Sequence, residues 1–224
     1  TYGYEHGKVG LSLIEVVDEE HAEYENPFYP PEKRLISITF TLSKKYRIYG
    51  RRATGISLMT ISSGWPPSQT EYVMVSQDRD VMSYKEDVYK GVEESINILI
   101  PGSIDMFSVI IKVVRIENSV YAIGSGFRIY KRVDHQIWRE HSTYLPVPDG
   151  LLDRKVEAIT RSRFRDLSGF SESDMYAVGG TGTVYHFNGE QWKKLPFPTN
   201  KLLYTVCCAG DGFVYIADFD GAIW

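Results

Sequence analysis

Long apolar runs are missing from this chain. No stretch of about 18 apolar residues occurs, so no segment has the length and character of a membrane-spanning helix. Cysteine is scarce. The two present, Cys207 and Cys208, are neighbours. In a strand, adjacent side chains point to opposite faces, which disfavours a mutual disulfide. They read as two small buried hydrophobes, and their scarcity favours a reducing compartment, the cytoplasm. Positive charge is not in excess: 25 Lys and Arg stand against 29 Asp and Glu, a net charge of −4. That balance argues against a nucleic-acid partner. Catalytic signatures are absent as well, with no G-x-S-x-G, no H-E-x-x-H, no Walker loop and no zinc spacing. None of His6, His21, His135, His141 and His186 has a Ser, Cys or carboxylate at a spacing that predicts a dyad. Asp211, Asp218 and Asp220 sit at predicted hairpin turns, where Asp is common for backbone reasons. No catalytic residue, metal or cofactor is expected.

What is present is aromatic and β-branched. Sixteen Tyr and ten Phe in a chain of 224 residues favour strands over helices. The stretch from Ser173 to Leu195 organises the rest. Met175 to Val178 is a short apolar run ended by Gly179-Gly180. Thr183 to Phe187 is a second run, and Asn188-Gly189 predicts a type I′ hairpin turn. Trp192 opens a third strand. The pattern Asp174-Met-Tyr-Ala-Val-Gly179 recurs as Ser119-Val-Tyr-Ala-Ile-Gly124, as Phe213-Val-Tyr-Ile-Ala-Asp218 and, more weakly, as Glu71-Tyr-Val-Met-Val-Ser76. The spacings suit blades of about 40–50 residues. One four-stranded blade cannot cover both of its faces, whereas stacked blades cover each other. Tyr121, Tyr176 and Tyr215 are therefore expected between neighbouring blades.

The fold expected is all-β: a β-propeller, or part of one, of antiparallel four-stranded blades. Residues 1–64 would complete or extend it, and residues 65–224 would form about four repeat units. The sequence stops at Trp224 within a strand pattern, so the last blade is expected to be incomplete. Lys8 to Val17 is the candidate donor strand for it.

The repeat Asp-Met-Tyr-Ala-Val-Gly-Gly-x-Gly-x-Val-x-x-Phe-Asn-Gly-x-x-Trp resembles the Kelch-like and WD-like bacterial β-propeller repeats, over Glu71 to Trp224. The resemblance implies a propeller and names no activity. With no catalytic motif, loops of varied length on a rigid scaffold point to a binding module. The expected function is a non-catalytic protein-binding propeller, specifically an immunity or antitoxin-type protein that binds a bacterial toxin domain. A carbohydrate-binding or sialidase-like propeller and a structural subunit of a larger assembly are the alternatives.

The N-terminal third supplies the candidate contact residues. Asp18, Glu19, Glu20, Glu23 and Glu25 form an acidic stretch before Asn26-Pro27. Such a patch steers association with a basic partner surface. Trp65, beside two prolines, is a candidate interface anchor. Leu35 to Leu42 alternates apolar with hydroxyl residues, a period-two strand. Lys85 to Ser95 reads as a polar loop or one helical turn. Arg154, Lys155, Arg161, Arg163 and Arg165 read as a solvated basic loop.

Overall fold

The computed structural model describes residues 2–5, 8–16, 33–41, 46–53, 59–64, 71–77, 79–85, 89–96, 109–143, 145, 146, 148 and 161–224, with backbone alone before residue 73 and over 84–92. They form two compact units, Thr1–Ser95 and Ile96–Trp224. Among the described residues, no helix is long and apolar enough to cross a membrane.

The first unit holds two antiparallel meanders. One runs β1 (Tyr2–Glu5), β2 (Lys8–Val16), β3 (Lys33–Thr41) and β4 (Tyr46–Ala53), each strand paired with the next. The alternating segment falls on β3, with Leu35 opposite Ile14 and Phe40 opposite Val9. β2 has β1 on one edge and β3 on the other. It is therefore an interior strand of its own sheet, and the expectation that it donates itself to the last blade is corrected. The second meander is β5 (Met59–Gly64), β6 (Glu71–Ser76), β7 (Val81–Lys85) and β8 (Tyr89–Val92). Val73, Val75 and Val81 are fully buried. β8 pairs with β7, so the polar segment after Lys85 is a fourth strand and not a loop. At the sheet edge its order comes from backbone pairing, which composition does not record.

The second unit contains β9 (Ile110–Ile116), β10 (Ser119–Gly124), β11 (Arg128–Asp134) and β12 (Ile137–Glu140) as one four-stranded sheet. The next comprises β13 (Phe164–Ser171), β14 (Asp174–Gly179), β15 (Thr183–Phe187) and β16 (Trp192–Leu195). β17 (Leu203–Cys208) and β18 (Val214–Asp218) pair as a hairpin, and Ile223 returns to bridge Ala217. These are blades of a propeller-type fold, and the last has only two named strands.

The middle blade is buried on both faces, and strand periodicity decides which residue goes where. Met175 and Ala177 of β14, with Tyr185 and Phe187 of β15, pack with Tyr121, Ile123, Ile129 and Phe164. Val178 and Val184 pack the other way, with Leu203, Val206 and Ile216, and Tyr176 lies against that cluster. A sheet covered on two sides buries nearly every apolar residue it carries, and that is the main gain from stacking.

Two local expectations are corrected. The loop after Phe187 spans four residues. Gly189 has a positive φ of 91°, while Asn188 uses its side chain instead: its Oδ1 accepts from the backbone N–H groups of Glu190 and Gln191. That side-chain turn replaces the two-residue type I′ geometry. Cys207 is exposed and Cys208 half-buried, because the outer face of the last hairpin has no sheet over it among the described residues.

Candidate partner-binding surface

The first strands of the three blades in the second unit, β9, β13 and β17, share a defect. Each carries one extra residue at the same register. In β9, Gly124 pairs with Ile110 and Ile123 with Lys112, so Ile111 is extra. In β13, Gly179 pairs with Phe164 and Val178 with Asp166, leaving Arg165. In β17, Asp218 pairs with Leu203 and Ala217 with Thr205, leaving Tyr204. Bulges re-aim side chains and recur at functional edges.

The residue after each bulge joins the three strands. Lys112 Nζ donates to Asp166 Oδ1 at 2.6 Å. Thr205 Oγ1 donates to Asp166 Oδ2 at 2.6 Å, and the Val206 N–H donates to the same oxygen at 3.2 Å. Asp166 is buried, and with four donors around its carboxylate, counting its own Leu167 N–H, the buried charge is compensated. It fixes the relative heights of three strands and thereby the positions of the bulge residues.

Those residues form a surface. The Arg165 guanidinium lies over the Tyr204 ring, 6.0 Å from its centroid. Tyr204 meets Phe219 edge to face, centroids 6.0 Å apart. Both aromatics face solvent, Tyr204 at 53% and Phe219 at 73% exposure. Arg163 stands two residues before Arg165, and burial together with the Arg165 charge holds its guanidinium below the ordinary arginine value. The expectation of a solvated basic loop is corrected for Arg163 and Arg165: Arg163 bridges Ser125 of the neighbouring blade, and Arg165 lies inside β13. Arg161 is exposed, and Arg154 and Lys155 lie outside the described residues.

Beside Phe219 opens a cleft of about 320 Å³. With Phe219, it is lined by Arg161, Thr181, Asn200, Lys201, Leu202 and Asp220. Its walls are turns that tie one blade to the next. The Gly182 N–H donates to the Lys201 carbonyl at 2.8 Å, and the Gly126 N–H makes the corresponding bond to Ser162 at 2.7 Å. Gly182 adopts φ +64°, and a Cβ there would lie 1.9 Å from the Thr199 carbonyl oxygen. Lys201 pairs with Asp220 at 2.9 Å and stands 3.7 Å from Asp218. The Asp220 hydrogen bond and charge hold its ammonium above the ordinary lysine value.

Sequence reasoning missed one carboxylate–imidazole pair. His186 Nε2 lies 2.8 Å from Asp174 Oδ1 across the β14–β15 hairpin, with Tyr176 stacked on the imidazole at 4.4 Å. Cys208 feels the Asp174 charge, but burial is the main reason its thiol is pushed up. A protonated thiol is a poor nucleophile. Among the described residues, no group of three His, Cys, Asp or Glu is placed to hold a metal ion. Asp18, Glu19, Glu20, Glu23, Glu25 and Trp65 lie outside the described residues.

The chain matches no family model. It is 33% identical over 108 residues to Immune protein Tsi7 of Pseudomonas aeruginosa, a match covering 48% of this chain and 33% of the relative. The match thus spans about a third of that relative's length. In structure it is similar to YCF48 bound to D1 peptide, with a TM-score of 0.50 at 16% identity, covering 84% of this chain and 60% of that one. It is also similar to the WD40 repeats of RRP9, with a TM-score of 0.51 at 8% identity, covering 86% and 57%. At such identities the likeness shows a β-propeller fold.

Proposed function

We propose that this chain is a non-catalytic, protein-binding propeller that acts as an immunity protein, binding and blocking a bacterial toxin. The observation that carries the reading is the 33% identity over 108 residues to an immune protein. The physical surface supports it: exposed Tyr and Phe beside Arg, on a scaffold fixed by buried ties, is the composition of an interface core. The repeats are read as Kelch-like or WD-like, and residues 1–64 as extending the series that 65–224 carries. The partner is a toxin domain with a basic patch that meets Asp18 to Glu25, with Trp65 as a further anchor, and the two associate in the cytoplasm.

The test is co-expression. Cells producing a toxin encoded beside this chain should survive only when this chain is present, and the two proteins should co-purify. Growth arrest despite full expression, with no complex recovered, would overturn the reading.

A further inference from the structure

Arg163 and Arg165 form a cation pair that meets no anion among the described residues. Burial, and then repulsion from the Arg165 charge, hold the Arg163 guanidinium below its ordinary value. The Nε of Arg163 is buried with no hydrogen-bond partner among the described residues. Arg165 rests on Tyr204, and among the described residues neither guanidinium has a carboxylate within ion-pair distance. Four other cations of the same unit do meet a carboxylate: Lys112 with Asp166, Arg128 with Glu140, Lys131 with Glu172, Lys201 with Asp220. In a chain carrying more acids than bases, this spot has no counter-charge among the described residues and lies beside an exposed aromatic pair and an open cleft.

We infer that Arg163 and Arg165, with Tyr204 and Phe219, receive an acidic segment of a protein partner. A partner carboxylate between the guanidinium groups would relieve their repulsion and form charge-assisted hydrogen bonds in the planar geometry arginine favours. Tyr204 and Phe219 cover the apolar part of the same segment, and the cleft beside them admits one further side chain. A nucleic acid would meet the same two cations, but the net charge of −4 opposes a long polyanion and tolerates a short acidic stretch. The inference rests on the reading of this chain as a protein-binding module. It adds a second surface, of opposite sign to the acidic stretch at Asp18 to Glu25.

The experiment is fluorescence anisotropy with a labelled oligoglutamate peptide at about 50 mM salt, where charge is weakly screened. The full chain should bind it. The double variant Arg163→Ala/Arg165→Ala should bind at least about tenfold more weakly, a change of about 1.4 kcal/mol. Arg165→Ala alone, at a strand-edge bulge, serves if the double variant fails to fold, and it should show most of the loss. Lys193→Ala/Lys194→Ala removes two charges from β16 and should change binding less than about twofold. Equal loss in both double variants, no binding by the unmodified chain, or tighter Arg-dependent binding of an oligothymidylate of equal length overturns the inference. Co-purification of a toxin with the double Arg variant at unchanged affinity also overturns it, and leaves the immunity reading standing.

Discussion

Trp192 Nε1 donates a hydrogen bond to His141 Nδ1 at 3.1 Å, across the seam between the two four-stranded blades of the second unit. The imidazole is ringed by aromatics, with Tyr121 5.5 Å and Phe187 4.7 Å away between centroids. A nitrogen that accepts from indole carries no proton, so this contact requires neutral histidine. Burial lowers the His141 pKa, the Lys131 charge lowers it further, and Glu172 opposes them.

The pH dependence follows from that sign. In the unfolded chain His141 takes up its proton near pH 6.5, and in the folded chain only at lower pH. Between those values the unfolded state binds more protons, so stability falls as pH drops and levels off below the folded value. Urea unfolding followed by tryptophan fluorescence should show lower stability at about pH 5 than at about pH 7.5. His141→Gln, which still accepts from Trp192 but does not titrate, should show a smaller difference. An identical difference in both proteins would remove His141 as a contributor.

Asp166 holds three strands through one carboxylate, so its loss orphans several donors at once. Asp166→Ala should destabilise the chain by about 3–5 kcal/mol, as expected for breaking a buried charge pair. Lys112→Met, whose side chain is partly solvated, should cost about 1 kcal/mol or less. Denaturant midpoints of the two variants, compared at equal slope, check the ranking.

Two glycines with positive φ should behave differently. At Gly182 an added Cβ meets the Thr199 carbonyl, so Gly182→Ala combines backbone strain with a clash and should cost about 2–4 kcal/mol. Gly221 has φ +89° and open space around it. Gly221→Ala should cost about 1 kcal/mol, the conformational strain alone. Thermal unfolding of both variants separates the contributions.

Tyr121, Tyr176 and Tyr215 hold one register position in three blades, opposite Val114, Ser168 and Cys207. Their burial declines along the series, from fully buried Tyr121 to Tyr215 at 42% exposure: Tyr121 packs against the next sheet, Tyr176 lies against the β17–β18 cluster, and among the described residues no sheet covers Tyr215. Tyr121→Ala should cost about 3–5 kcal/mol, and Tyr215→Ala about 0.5 kcal/mol or less. Equal costs would mean that position in the repeat, and not coverage, sets the energy.

Reversal of Asp18, Glu19 and Glu20 to Lys should slow association with a toxin partner, most strongly at low salt. Stopped-flow association rates measure this, and rates unchanged at low salt would dispose of the acidic patch as a steering surface.

The blade pattern was legible because a strand with both faces covered reads as a short apolar run, and its turns need Gly, Asn or Asp. Asp174 to Phe187 shows both signals. β8 escaped notice because an edge strand is held by backbone bonds that charged residues make as readily as apolar ones. The binding surface escaped for another reason. Arg165 and Tyr204 are 39 residues apart in sequence, and the bulges that bring them together are ladder defects with no residue signature of their own.

Local chemistry along the chain therefore determined the class of structure, the positions of most strands and the tyrosine repeat, since alternation and turn preference depend on near neighbours. Only the tertiary structure decided that Asp166 ties three blades, that His141 stays neutral under Trp192, and that Arg163 and Arg165 come together with no counter-charge among the described residues. Those outcomes depend on which strands stack, and stacking joins residues that the sequence holds far apart.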